Sequence, residues 1–174
     1  MGFVIFPAGP SDAEDLAAVH VRAWRETYPG MLPEAYLSRL SVPVHARRWR
    51  FALKQAEPTE LTLAAADRSG LVGYAGVGSS RRAIDGEAEI HTLYLLRAAQ
   101  GFGLGRRLVA DAARLMAARG FGSMRISTLS DNRRARSFYE HLGGAVQAER
   151  PEAGPGGVMF ETAYLWPRIG ALFE

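Results

Sequence analysis

Three titratable side chains, Glu87, Glu89 and His91, recur at every second position of Glu87-Ala-Glu-Ile-His-Thr-Leu-Tyr-Leu95. A period of two marks a strand, and its alternation places all three with Leu93 on one face. Carboxylates and an imidazole grouped this way can take up or relay a proton. The competing account is the solvated side of a half-buried strand. Five residues on, Gln100-Gly-Phe-Gly-Leu-Gly-Arg-Arg-Leu108 sets glycines at 101, 103 and 105 directly before a helical pattern. Without Cβ atoms such a turn can wrap a ligand closely and aim free N–H groups at an anion, aided by the helix dipole. A phosphate is the expected guest; a turn that merely needs positive φ accounts less well for three glycines in five residues.

Spacing separates the phosphate motifs. A Walker loop requires a lysine after its last glycine, and none follows here. The third glycine of the Rossmann fingerprint would fall on Arg106 or Leu108 in the two available registers, so that motif fails as well. What remains is Gln100-x-x-Gly103-x-Gly105. Arg106 and Arg107 sit in the first turn of the helix, where a cation opposes the macrodipole by roughly 0.3–1 kcal/mol. A bound diphosphate would reverse that sign, and arginines reaching into water would also explain them.

The elements that must hold these residues follow from periodicity and punctuation. Phe3 to Phe6 reads as a strand, and Ser11-Asp-Ala-Glu14 as a capping box opening a helix with Leu16, Val19, His20, Ala23 and Trp24 at helical spacing. Pro29-Gly30 breaks the chain, Pro33 starts a short helix through Leu40, and Pro43 a third that carries Arg47, Arg48, Trp49 and Phe51. Leu61 to Gly78 is a hairpin turning at Asp67–Gly70, followed by the strand from Glu87 to Leu95 and a helix from about Gly103 to Arg119. A strand over Met124–Thr128, a helix over Asn132–Leu142 and a strand over Ala145–Arg150 come next. A Pro/Gly loop over Pro151–Gly157 then leads to a last strand ending at Leu165. No internal repeat or low-complexity tract interrupts this order, and one domain over 1–174 is expected.

At 174 residues such a chain can bury roughly 70% of the surface its unfolded form exposes and needs no staple. The absence of cysteine removes disulfides, thiolate metal sites and cysteine nucleophiles, and no metal is expected. Of 21 basic residues only Lys54 is a lysine, and the net charge is +3; an arginine bias of this kind reflects genome composition before nucleic-acid binding. Met1-Gly-Phe-Val-Ile-Phe-Pro lacks a signal peptide's basic start, position 6 is unsuited to myristoylation, and no apolar run approaches a membrane span. A cytoplasmic protein without a membrane partner is expected.

The Gln100–Leu108 motif after an alternating strand resembles the acyl-CoA-binding motif of the GNAT superfamily of N-acyltransferases. Asn132, Ala135 and Phe138-Tyr-Glu-His-Leu-Gly-Gly144 resemble the segment that follows it in that superfamily. The resemblance implies a mixed sheet of about seven strands with helices on both faces. The strand carrying Glu89 would splay from its neighbour after Met124 to form a V-shaped slot, and the cofactor would enter that slot like an added strand. It further implies acetyl-CoA as co-substrate. Main-chain groups around Leu93 and Leu95 would pair with the pantetheine arm, and the amides of Gly101, Gly103, Gly105 and Arg106 would hold the diphosphate. Asn132 and Tyr139 would face the thioester, and Tyr94, Gln100, Phe102 and Phe138 would complete the cofactor contacts. The Leu93 amide would stabilise a tetrahedral oxyanion, and Tyr139 would protonate the thiolate of coenzyme A.

Acyl transfer to an amine must first remove an ammonium proton, whose pKa near 10.4 leaves about one molecule in a thousand neutral at pH 7. Glu89 matches the glutamate that some members of the superfamily use. An ordinary glutamate is about six pKa units too weak for direct transfer, so Glu89 is expected to work through water, with His91 as the rival base. Trp24, Tyr28 and His91 are the expected acceptor contacts, with Tyr36 and Tyr164 as further wall candidates and Glu26 or Glu161 as sources of negative charge. Arg133, Arg134 and Arg136 could meet the 3′-phosphate or form a solvated basic face. Two other readings stand beside an N-acetyltransferase acting on a primary amine of a small molecule or protein: a non-catalytic acyl-CoA-binding module, and an acyltransferase acting on aminoacyl-tRNA. A pI near 9.6 raises nucleic-acid binding, but the arginines are dispersed and no binding motif accompanies them. The sequence is compatible with a homodimer and leaves the amine undefined.

Overall fold

The computed structural model describes residues 2–174. Seven strands form one sheet: β1 (Val4–Pro7), β2 (Leu61–Asp67), β3 (Gly70–Ser79), β4 (Glu87–Leu95), β5 (Ser123–Leu129), β6 (Ala145–Gly154) and β7 (Gly157–Trp166). Their spatial order is β1-β2-β3-β4-β5-β7-β6, antiparallel throughout except for the β4–β5 pair. The helices are α1 (Ala13–Thr27), α2 (Glu34–Ser38), α3 (Val42–Lys54), α4 (Leu104–Ala117) and α5 (Arg133–His141). On one face, Leu104, Leu108 and Ala112 of α4 and Tyr139 of α5 pack against Val77, Ile90, Ile126 and Trp166. On the other, Leu16, Val19 and Ala23 of α1 and Trp49 of α3 cover Ala64 and Tyr74. Covered on both sides, β2 and β3 carry the near-continuous apolar runs that such burial requires. The expected mixed seven-stranded sheet with helices on both faces is the observed one.

The feature that positions a site is the parting of β4 and β5. They pair only from Glu87↔Ser123 to Ile90↔Ile126. Beyond that point β4 runs on to Leu95 bonded to β3 alone, and β5 to Leu129 bonded to β7 alone. The closed end of this V is fixed by a buried ion pair. Arg125 donates from Nε to Glu87 Oε1 at 2.7 Å and from Nη2 to Oε2 at 3.2 Å, while Ser80 Oγ donates to Glu87 Oε1 at 2.8 Å. Burial pushes the Glu87 carboxyl up, but the hydrogen bonds from Arg125 and Ser80 outweigh it and hold the pKa below the ordinary glutamate value.

Three local expectations are corrected. The Ser11–Glu14 capping box does not form: a 3-10 turn over Pro10–Asp12 precedes α1, and Asp12 Oδ2 accepts the Gly9 N–H at 2.8 Å. The Pro151–Gly157 loop is mostly strand, with Pro151 paired to Phe160 and the hairpin closing at Gly154↔Gly157. Proline is tolerated there because β6 is the edge of the sheet. Finally, Gly76 pairs with Thr92 but Val77 with Ile90, so His91 is the extra residue of a β-bulge, and the Gly76 N–H is taken up by Thr92 Oγ1 at 3.1 Å. One inserted residue reverses the alternation. Leu93 and Leu95 therefore join Ala88 and Ile90 on the α4 face, and Leu93 does not share a face with Glu87 and Glu89.

Removing one partner of a buried ion pair strands the other charge. Arg125→Met alone should therefore cost about 3–5 kcal/mol, and the double variant Glu87→Gln/Arg125→Met distinctly less; urea unfolding of wild type, single and double variants checks this. His20 offers a second test. Its Nδ1 lies 2.7 Å from the Tyr74 hydroxyl, and its ring centroid lies 4.4 Å from that of His45. Burial, then His45 and Arg48, lower its pKa from 6.5 to about 4. The unfolded chain therefore binds this proton first, so the contribution is complete above pH 6.5 and is lost as pH falls toward 4. Between pH 6.5 and 5 the melting temperature should drop more steeply in wild type than in His20→Gln.

Candidate active site

A cleft of about 810 Å³ runs through the V and is lined by residues from both faces of the sheet. At one end lies the glycine turn. Gly101 and Gly103 have φ of +85° and +77°, which side-chain-bearing residues avoid. Gly105 differs: its φ is ordinary, but a Cβ there would stand a tight 3.2 Å from the Phe138 ring. The first amide of α4 with a main-chain partner in the helix is that of Arg107, bonded to Gly103 O, and no side chain caps the helix start. The amides of Leu104, Gly105 and Arg106 are thus left to a ligand or solvent.

The two arginines at this turn part company. Arg106 lines the cleft, whereas the Arg107 guanidinium reaches the Phe3 carbonyl at 3.4 Å and ties α4 to the start of β1. Arg133 and Arg134 also line the cleft, but Arg136 turns inward to the Tyr164 hydroxyl and the Ser130 carbonyl. Asn132 lines it while capping α5, its Oδ1 accepting the Ala135 N–H at 3.1 Å.

Main-chain groups of the open stretch of β4 can be assigned by parity. The Leu96 N–H donates to Val72 O of β3 at 2.8 Å. Main-chain direction alternates along a strand, so the groups of Leu95 and Leu93 face the V. The Leu95 carbonyl accepts from Gln100 Nε2 at 2.9 Å, and Gln100 Oε1 is buried with no partner among the described residues. Leu93, Tyr94, Leu95, Gln100, Phe138 and Tyr139 all line the cleft. Phe102 does not. The left-handed turns on either side throw its ring outward, 58% of the residue is exposed, and the ring sits 6.2 Å from Phe3.

Two groups able to handle protons, Tyr139 and His91, line the cleft. Tyr139 is buried, and its hydroxyl makes no hydrogen bond with the described residues. Burial first, then the nearby Tyr28 and Tyr164 hydroxyls, raise its pKa well above the usual tyrosine value, so the hydroxyl keeps its proton. His91 lines the cleft, its Nε2 3.5 Å from Glu60 Oε2 and its Nδ1 4.0 Å from Glu89 Oε1. Its pKa is lowered by burial and then by Arg81, against the opposing pull of Glu60 and Glu89. Glu89 itself is not among the lining residues: it stands behind His91, with Oε2 accepting the Arg81 N–H at 2.8 Å.

Trp24, Tyr28 and Tyr36 wall the α1–α2 end of the cleft, and the Tyr28 and Tyr94 hydroxyls are 2.9 Å apart. Tyr164 is not part of this wall. It is fully buried on the opposite face, where its hydroxyl donates to Glu140 Oε1 at 2.9 Å. Glu60 escaped sequence reasoning because only the β2–β3–β4 register brings residue 60 to residue 91. The signal for it lay in β3. Gly78 has the Glu60 carboxylate where its Cβ would be, and a glycine inside a strand marks such an approach.

The family model of the acetyltransferase (GNAT) family matches residues 20–144. The chain is 30% identical over 162 residues to the uncharacterized N-acetyltransferase YuaI of Bacillus subtilis (strain 168), covering 92% of this chain and 91% of that one. Its fold is similar to that of PaiA N-acetyltransferase from Thermoplasma acidophilum in complex with coenzyme A, with a TM-score of 0.68, 23% identity, and coverage of 93% of this chain and 98% of that one. It is similar also to yncA from Salmonella typhimurium with its cofactor acetyl-CoA, with a TM-score of 0.71, 20% identity, and coverage of 97% and 95%. The parted strands and the uncapped glycine turn thus occur in a chain that matches the family model over most of its length, and the protein belongs to the GNAT family as an acyl-CoA-dependent N-acetyltransferase.

Proposed function

We propose that the protein binds acetyl-CoA in the V and transfers the acetyl group directly to a primary amine in a ternary complex. The observation that carries this reading is the continuity of the cleft: main-chain groups of Leu93 and Leu95 facing the V lead without a break to the free amides at the start of α4. An extended arm with amides along it and a diphosphate at its end suits that arrangement. Gly101, Gly103, Gly105 and Arg106 would hold the diphosphate, with Arg133 and Arg134 beside it and Asn132 and Phe138 along the arm. The bound co-substrate supplies an acetyl group activated as a thioester.

The remaining steps belong to the chain. The Leu93 N–H, fixed in β4, is a donor already aimed where a carbonyl oxygen gains charge. His91, neutral at pH 7 because its pKa is lowered, takes the ammonium proton, and Glu89, 4.0 Å from Nδ1, stabilises the resulting cation. Tyr139, whose raised pKa keeps it protonated, donates to the departing sulfur. No covalent enzyme intermediate is needed, in keeping with a chain that has no cysteine.

Acetyl-CoA at 100 times its Kd should stabilise the fold by about 2.7 kcal/mol and raise the melting temperature by roughly 5–10 °C; no shift would overturn the cofactor assignment. The protein contributes no thiol background, so coenzyme A released to an amine can be titrated directly. Tyr139→Phe, which removes a hydroxyl without a protein partner, should lower kcat about 100-fold or more with little change in stability. The wild-type kcat should fall as pH drops through a pKa below 6.5, because the base must be unprotonated. His91→Asn should abolish that limb, and Glu89→Gln should move it to lower pH by withdrawing a neighbouring charge. An unchanged limb in His91→Asn would instead leave Glu89 as the base.

A further inference from the structure

We infer that the amine acceptor is a small primary amine with an apolar or aromatic body and no carboxylate, its ammonium group anchored by Glu161. This rests on the acetyl-transfer reading above and narrows the acceptor. Three observations on the α1–α2 side of the cleft carry it.

The first is the wall. Trp24, Tyr28, Met31, Tyr36, Tyr94 and Met159 line this end. The Trp24 ring lies 5.0 Å from that of Tyr28, 6.2 Å from Tyr36 and 6.1 Å from Tyr94, with the rings tilted or edge-on. Such a surface rewards apolar and aromatic bodies and tolerates a cation against its ring faces. Its polar groups are few, and the Tyr28 and Tyr94 hydroxyls already face each other at 2.9 Å, so a polar body would regain little of the hydration it loses there.

The second is charge. Two glutamates line the cleft, and they differ in their partners. Glu26 accepts the Arg97 N–H at 2.7 Å and pairs with Arg22 at 2.9 Å, so its charge is committed. Glu161 has no hydrogen bond or ion pair with any described residue. It is half-buried, and burial, then Glu152 and Glu89, raise its pKa against the opposing pull of Arg81 and Arg82. A carboxylate with no bonded partner among the described residues favours an incoming ammonium. The arginines that line the cleft are either committed or placed at helix starts. Arg97 donates to the Glu26 carbonyl at 2.7 Å, and Arg106, Arg133 and Arg134 stand at the starts of α4 and α5. Arg81 and Arg82 act on Glu161 from outside the lining, so an α-carboxylate on the acceptor would meet Glu161 with no uncommitted lining cation beside it to offset the repulsion.

The third is the roof. The tip of the β6–β7 hairpin comes down on the start of α2, so that a Cβ on Gly156 would stand 3.2 Å from Pro33 Cγ. Behind it Met159 packs against the cluster of Tyr28, Leu32 and Leu37. The hairpin thus adds Pro155 and Met159 to the lining beside α1 and α2, an enclosure that favours a small acceptor.

The test is a steady-state panel with acetyl-CoA and thiol titration: 2-phenylethylamine and tryptamine, their carboxylated counterparts phenylalanine and tryptophan, spermidine, and a hexapeptide with a free N-terminus. The two arylalkylamines should show kcat/KM at least roughly tenfold above every other member, and Glu161→Gln should raise their KM roughly tenfold. That variant should keep the acetyl-CoA melting shift and be no less stable, because it removes a carboxylate with no partner. A preference for phenylalanine, tryptophan, spermidine or the peptide overturns the inference, as does an unchanged KM in Glu161→Gln. Loss of the acetyl-CoA shift in wild type is a different failure, that of the cofactor assignment itself.

Discussion

The structure turns on how a sheet can stop pairing in its middle. Main-chain N–H and C=O groups withdrawn from water need partners, and a strand interior normally supplies them on both sides. From Ile90 and Ile126 onward β4 and β5 each keep one neighbour and turn a free edge toward the other. Such an edge is a liability on the outside of a protein. Held apart inside the molecule, two of them make a slot shaped for an extended amide-bearing ligand. Everything else in the fold either keeps the strands apart or furnishes the slot.

The closed end is held by the Glu87–Arg125 pair, whose members are 3% and 6% exposed. A buried ion pair adds little net stability over an apolar substitute, but its geometry is demanding. Here that geometry locks β4 to β5 in register just before they part. At the open end the glycine turn before α4 depends on two distinct glycine effects. Gly101 and Gly103 permit a backbone conformation, and Gly105 permits α4 to lie against Phe138. The Phe138 contact also couples the glycine turn to α5, which carries Tyr139, so the turn and that tyrosine are set by one packing interface.

The bulge at His91 is the small feature with the largest chemical effect. Without it, alternation would place Leu93 beside Glu89, and the main-chain groups meant for the V would be displaced from it. With it, Leu93 and Leu95 are part of the apolar layer over α4 while Glu87 and Glu89 stay on the side of α1. The extra residue itself is left in the cleft between the carboxylates of Glu60 and Glu89. A strand irregularity therefore provides a buried, titratable nitrogen that a regular strand would have turned to one face or the other.

The glycine spacing, the strand before it and the helix after it were legible in the sequence because each is a local pattern: φ demands at 101 and 103, alternation over Glu87–Ile90, and apolar positions at Leu104, Leu108 and Ala112. These determined the fold class and the glycine turn before α4. The register of β3 against β4 was not legible. A bulge depends on the partner strand, and with it went the face of Leu93, the approach of Glu60 and the withdrawal of Glu89 from the cleft. Tyr164 and Glu161 lie three residues apart in one strand, yet one is sealed against α5 and the other opens into the cleft. Alternation predicts that they differ in face but not which face carries the cleft. That assignment belongs to the tertiary structure, because only the packing of helices on both sides of the sheet decides which side of a strand is solid core and which is open.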